Sequence, residues 1–152
     1  MRHDTKISVK KNEHKGRCGK ATKIREDAKV SEIREDAAKI ITIFSCKGGV
    51  GKTTTLINLA GIYSLMDKKV LIMDLDLNSG GIATSLNVDV NKTIYNVVDD
   101  MGNNRFDGIE NYVSKYNDKI DVLSSPKDPR DALKVDSKKI TRLLKTARGQ
   151  VD

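Results

Sequence analysis

The chain has 152 residues and a formal net charge of +7, with 28 Lys/Arg against 21 Asp/Glu; this length suits one domain with its own core. No apolar run approaches the roughly 20 residues needed to span a membrane, and no apolar segment follows the basic N-terminus as a secretory signal would require. Two cysteines outside any Cys-x-x-Cys pair exclude a disulfide framework and point to a reducing, cytoplasmic setting.

The charge is uneven: residues 1–39 carry 12 Lys/Arg and 7 Asp/Glu, and residues 40–152 carry 16 and 14. Residues 1–23 are polar, basic and without period, which predicts disorder. Such a tail either touches nucleic acid or an acidic membrane surface or only keeps the chain soluble, and it has no aromatic residue to stack on a base. Residues 24–38 contain a short duplication, Ile24-Arg25-Glu26-Asp27-Ala28 and Ile33-Arg34-Glu35-Asp36-Ala37. Mixed charges and alanines there predict a short exposed linker helix.

Ile40-Ile41-Thr42-Ile43-Phe44 opens a strand expected over 39–46, apolar on both faces as a helix-covered parallel strand should be. It runs into Ser45-Cys46-Lys47-Gly48-Gly49-Val50-Gly51-Lys52-Thr53-Thr54-Thr55, and a helix is expected over 52–66. Leu56, Leu59, Ala60, Tyr63, Leu65 and Met66 would be its sheet-facing stripe. Strand, glycine-rich turn and helix are the setting of a phosphate-binding loop. Glycines let successive N–H groups of Gly48, Gly49, Val50, Gly51, Lys52, Thr53 and Thr54 aim at one centre. The helix start adds free donors and a partial positive charge. Lys52 would bring a full charge to the β- and γ-phosphates, and the Thr53 hydroxyl an oxygen for Mg²⁺. The ordinary G-x-x-x-x-G-K-[ST] pattern fails, because Cys46 stands where its first glycine belongs. What stands instead is Lys-Gly-Gly-Val-Gly-Lys-Thr-Thr; six such positions at roughly 7 % each arise by chance about 10⁻⁷ times per start site.

A second buried parallel strand is expected over 70–76, ending in Asp74 and Asp76, two apart and so on one face. The carboxyl end of such a strand is where a ligand crevice forms. A short helix over 80–86 follows, then a helix over 93–101 capped by Thr93 with Ile94, Val97, Val98 and Met101 inward. Another short helix is expected over 107–116, with Tyr95, Tyr112 and Tyr116 as packing residues. Ile120–Leu123 reads as a third strand. Pro126 and Pro129 mark a loop over 124–130, and a last helix over 136–147 has Asp136 or Ser137 as cap and Ile140, Leu143, Leu144 and Ala147 inward.

The 47–54 loop and the Asp74-Leu75-Asp76 strand end resemble the deviant Walker A P-loop and D-x-D element of the ParA/MinD superfamily, the partition and division-site ATPases. The resemblance spans about residues 39–148. It implies an α/β fold, a P-loop NTPase-type parallel sheet flanked by helices, with ATP and Mg²⁺ as cofactors. It implies that Lys47 reaches the phosphates of the partner subunit in a nucleotide-dependent homodimer. By the same resemblance Asp76 orients the attacking water and approaches Mg²⁺, with Asp74 supporting it, and Leu77–Gly81 occupy the first switch loop. Residues 1–38 would then be tail and linker, and 39–152 a partial P-loop ATPase domain.

In the superfamily the last helix leads to another apolar strand, beside the P-loop strand, whose terminal carboxylate supports Mg²⁺ through water. Residues 148–152 cannot supply it, so the chain is expected to be the N-terminal part of a longer ATPase, with weak nucleotide binding and little hydrolysis of its own. The implied function is an ATP-hydrolysing dimeric switch that positions cargo: a pilus or secretion complex, a division site or a plasmid. The pilus-assembly localisation branch is the nearest in local sequence. The alternative is a non-catalytic nucleotide-binding module that recruits partners. A tyrosine autokinase with a related P-loop would carry a tyrosine-rich tail, which is not found here. The missing Cys-x-x-Cys argues against the superfamily's iron–sulfur carriers.

Overall fold

The computed structural model describes residues 38–148, and the tail and linker-helix expectations lie outside them. Chain order is α1 (Lys52–Leu65), β1 (Val70–Met73), α2 (Ile82–Leu86), α3 (Ile94–Gly102), a 3₁₀ turn (Ile109–Asn111), β2 (Ser114–Lys115), β3 (Ile120–Leu123), α4 (Pro129–Ala132) and α5 (Ser137–Ala147). The three strands make one sheet in the order β1-β3-β2. β1 pairs parallel with β3, Val70 opposite Ile120 and Met73 opposite Leu123, and β2 pairs antiparallel with β3.

Period-2 alternation sends the strand side chains to two different cores. Ile72, Ile120 and Val122 face Ala60, Ile82, Leu56 and Leu86, so α1 and α2 cover one face. Leu123, with Leu71 and Met73 packed beside it, faces Ile94, Val97, Val98, Met101 and Leu143, so α3 and α5 cover the other. Helices on both faces of a mostly parallel sheet are the expected α/β architecture. α3 starts where foreseen: the Thr93 N–H donates to Asn96 Oδ1 at 2.8 Å, a capping-box variant with Asn in the Glu/Gln place. At α5 the cap is Asp136, whose Oδ1 accepts the Lys139 N–H at 2.8 Å. The expected 124–130 loop contains one element not foreseen, α4, with Asp128 as cap and Pro129 in the first turn.

Three expectations are corrected. The helix over 107–116 is instead the 3₁₀ turn followed by β2. Gly108, at φ 132, interrupts a helical path, and Ser114 and Lys115 gain ladder bonds opposite Val122 and Asp121 that a helix would forfeit. Tyr112 then turns into the core at 2 % exposure, its hydroxyl donating to Asp100 Oδ2 at 2.8 Å, whereas Tyr116 stays 48 % exposed. Second, Leu65 and Met66, expected against the sheet, are 89 % and 62 % exposed, because they project beyond the β1–β3 face that α1 covers.

Third, residues 39–45 form no strand. The segment has the right apolar composition, but a strand exists through its ladder, and β1 and β3 pair with each other and with β2 instead. Ile40, Ile41 and Phe44 are accordingly 54 %, 48 % and 80 % exposed. The segment is tied at its start, where Ala38 is buried and its carbonyl accepts the Arg148 Nε–H at 3.1 Å.

Burial, then the hydrogen bond to Asp100, pushes the Tyr112 phenol up to about 12. The unfolded phenol ionises near 10, so between the two values the unfolded state binds fewer protons and stability falls as pH rises. Urea midpoints measured from pH 9 to 12 should therefore drop more steeply for the wild type than for Tyr112→Phe. Parallel curves would contradict the buried, bonded phenol.

Candidate functional site

The loop entering α1 is shaped by its glycines. Gly49 has φ 73 and Gly51 φ 87, the left-handed region that costs other residues about 1–2 kcal/mol. Gly51 is the N-cap of α1 and brings no side chain to cap it. The first helical bond is Thr55 N–H to Gly51 C=O at 2.9 Å, so the N–H groups of Lys52, Thr53 and Thr54 come before the ladder begins. A Cβ added at Gly48, Gly49 or Gly51 would meet nothing within 4 Å among the described residues, so the loop is open to solvent. Gly48 has neither positive φ nor crowding; only the close approach of a ligand would give its missing side chain a role. At the loop's start the Lys47 N–H donates to Ser45 Oγ at 3.1 Å. Neither Lys47 nor Lys52 forms an ion pair among the described residues. Val50 is 50 % exposed, Lys52 and Thr53 are half-buried, and Thr54 is exposed.

The turn at Met66–Lys69 reverses the chain, with Lys68 N–H on Tyr63 C=O at 3.0 Å. α1 and β1 therefore run antiparallel, and the start of α1 shares one end of the layer with the carboxyl end of β1. That brings the 47–54 loop to the end where Asp74 and Asp76 stand. β1 stops at Met73 and its alternation stops with it, so the two carboxylates lie in different surroundings. Asp74 is 5 % exposed, with Oδ1 accepting from Asp76 N–H and Oδ2 from Ile82 N–H, both at 3.2 Å. Burial pushes its carboxyl above the usual range, and the N–H bonds from Ile82 and Asp76 pull against that. Asp76 is exposed and its Oδ1 accepts the Ser79 N–H at 3.2 Å.

Sequence reasoning missed the floor of this loop. Ser124 and Ser125, after β3, are buried at 4 % and 9 % exposure, and Ser124 Oγ has no hydrogen-bond partner among the described residues. A Cβ on Gly80 would lie 1.8 Å from Ser125 Oγ and 2.6 Å from Ser125 Cβ. The Gly80-Gly81 pair was the available signal for so close an approach. Gly80→Ala should cost about 1–3 kcal/mol by overpacking. Thermal unfolding should show more of the loss restored in Gly80→Ala/Ser125→Gly than in Gly80→Ala/Ser125→Ala, which removes the Oγ but keeps the Cβ at 2.6 Å.

Chemically, an uncapped helix start beside two free lysines suits a polyanion. Hard oxygens from Thr53 and Asp76 suit Mg²⁺, which takes one or two protein ligands and otherwise water and phosphate. No group of three or more His, Cys, Asp or Glu among the described residues forms a dedicated metal cage.

The AAA domain family profile matches residues 38–140. The chain is 46 % identical over 67 residues to an iron–sulfur cluster carrier protein of Methanocaldococcus jannaschii, covering 42 % of this chain and 22 % of that protein. It is 31 % identical over 115 residues to the septum site-determining protein MinD of Helicobacter pylori, covering 76 % and 42 %. Its fold matches the crystal structure of a ParA family ATPase from Chlorobium tepidum with a TM-score of 0.63 at 21 % identity, over 70 % of this chain and 45 % of that one. The chain thus spans less than half the length of each of these relatives.

Proposed function

Because the chain belongs to the ParA/MinD superfamily of P-loop ATPases, we propose that it binds Mg·ATP in the 47–54 loop as part of a nucleotide-switched dimer. The observation that carries this reading is the uncapped start of α1, with Gly49 and Gly51 at positive φ, at the same end of the layer as Asp76. Backbone N–H groups of Gly48, Gly49, Val50, Gly51, Lys52, Thr53 and Thr54 receive phosphate oxygens. Lys52 pairs with the β- and γ-phosphates. Thr53 and Asp76 would hold Mg²⁺, whose charge offsets that of the phosphates. Asp76 orients the attacking water, and Lys47 reaches the nucleotide of the partner subunit. ATP hydrolysis then governs dimerisation, and the dimer positions a protein cargo.

In the same reading, residues 39–152 are a partial nucleotide domain and 1–38 a basic tail and linker, the tail either contacting nucleic acid or an acidic membrane surface or only keeping the chain soluble. The protein works in the cytoplasm; no helix among the described residues is long and apolar enough to cross a membrane.

Isothermal calorimetry and sedimentation of the full chain with ATP, with and without Mg²⁺, test the proposal. Expected are heat uptake that deepens with Mg²⁺ and a nucleotide-dependent shift toward dimer. Asp76→Ala should keep ATP binding while holding the chain in one oligomeric state. No uptake in any condition would refute the reading. Uptake without any change of oligomeric state would favour a recruitment module over a switch.

A further inference from the structure

We infer that residues 40–44 form a strand in trans: they pair with the outer edge of β1 in a second copy of this chain, and the second copy does the same in return. The contact needs no nucleotide and goes beyond the Mg·ATP reading.

β1 is the outermost strand of the sheet. Val70 N–H donates to Lys119 C=O at 2.8 Å and Asp74 N–H to Leu123 C=O at 3.0 Å. The alternate residues Leu71 and Met73 therefore turn both main-chain groups away from β3, and no hydrogen bond among the described residues takes them up. An open edge is a template for another strand unless it is very short, charged, bulged or broken by proline. The opposite edge is protected in that way: β2 has two residues, one of them the exposed Lys115. β1 has no such device, since Val70-Leu71-Ile72-Met73 is uncharged and free of proline.

Residues 40–44 lack what that edge offers. Ile40-Ile41-Thr42-Ile43-Phe44 is β-branched and aromatic throughout, the chemistry of a strand. Its main-chain groups have no hydrogen bond among the described residues, and Ile40, Ile41 and Phe44 are exposed. Within its own chain the segment is leashed at both ends, by the Arg148 Nε–H on Ala38 C=O and by Gly51 at the start of α1. It does not join the β1 ladder there. The edge of a second copy is not bound by that leash. A two-fold exchange gives each segment a ladder and each edge a strand, as strand addition and swapping do. Phe44 brings an aromatic side chain able to bury about 150–200 Å². With Ile40, Ile41 and the edge they meet, and both contacts counted, the pair covers on the order of 1,200 Å², the lower end of a stable interface.

Sedimentation of the full chain in EDTA, without nucleotide, over a concentration series tests this. Wild type should pass from single chains to pairs. Thr42→Pro blocks the segment by removing a ladder donor from a residue with no bond to lose in the single chain, and should weaken pairing at least about tenfold. Leu71→Pro blocks the edge, because its N–H points away from β3, and should do the same. Mixed together, the two folded variants should form a one-to-one pair, since one keeps its edge and the other its segment. Amide hydrogen exchange at Leu71 and Met73 should slow as wild-type concentration rises; this reading also serves if Leu71→Pro does not fold. A wild type that stays single at every concentration, a Thr42→Pro chain that pairs like wild type, or unchanged exchange at the edge would overturn the inference. So would Leu71→Pro pairing with itself like wild type, which would mean that two 40–44 segments meet each other. Species larger than two chains would overturn the reciprocal arrangement. Pairing that appears only with Mg·ATP would overturn the inference and leave the nucleotide reading in place.

Discussion

Lys52→Ala should lower the affinity of the chain for Mg·ATP by about 10²–10³-fold while leaving its fold intact. A charge-assisted hydrogen bond contributes about 1.5–3 kcal/mol; two to the β- and γ-phosphates come to roughly 3–6 kcal/mol, and with every 1.4 kcal/mol a factor of ten the lower half of that range is about 10²–10³-fold. The folded state has little to lose. Lys52 opens α1 and has no ion-pair partner among the described residues, so truncation strands no opposite charge. Alanine is also at least as good a helix former as lysine. Titration calorimetry gives the affinity and thermal unfolding checks the fold, with Lys138→Ala on the exposed side of α5 as the neutral control. An Lys52→Ala chain within about threefold of wild type would mean that the phosphates do not sit at the start of α1.

Leu123→Ala should destabilise the chain by about 3–5 kcal/mol, the range for a fully buried leucine whose cavity cannot collapse. Leu123 has 0 % exposure, in the strand paired on both sides, and reaches Ile94, Val97, Val98 and Leu143 from α3 and α5. Leu71 and Met73 of β1 pack against the same cluster, and rigid neighbours cannot follow a receding side chain. Domains are stable by only about 5–15 kcal/mol, so such a loss threatens folding at physiological temperature. Equilibrium urea denaturation should show the midpoint falling steeply, against a change below about 0.5 kcal/mol for Leu133→Ala, whose side chain is 86 % exposed. Comparable effects at the two leucines would contradict the placement of this core.

Much of this architecture was readable from local chemistry. The glycine-lysine loop, the start of α1, the Thr93 and Asp136 caps and the apolar face of α3 depend on residues within a turn of one another. Their propensities and hydrogen-bond options are set before any long-range contact forms. What lay beyond reach depends on partners distant in the chain. Ile40–Phe44 has every mark of a strand, yet no cross-strand neighbour among residues 38–148 completes it. Residues 107–116 have helical spacing, yet the edge of β3 takes Ser114 and Lys115. Asp74 and Asp76 are equivalent in sequence, yet past the end of the β1 ladder at Met73 one carboxylate is buried and the other exposed. Composition, caps and the glycine geometry of the loop before α1 are short-range and were written in the order of residues. Strand pairing and the burial of single charges are long-range, because hydrogen-bond ladders and solvent exclusion exist only once segments far apart in sequence have met.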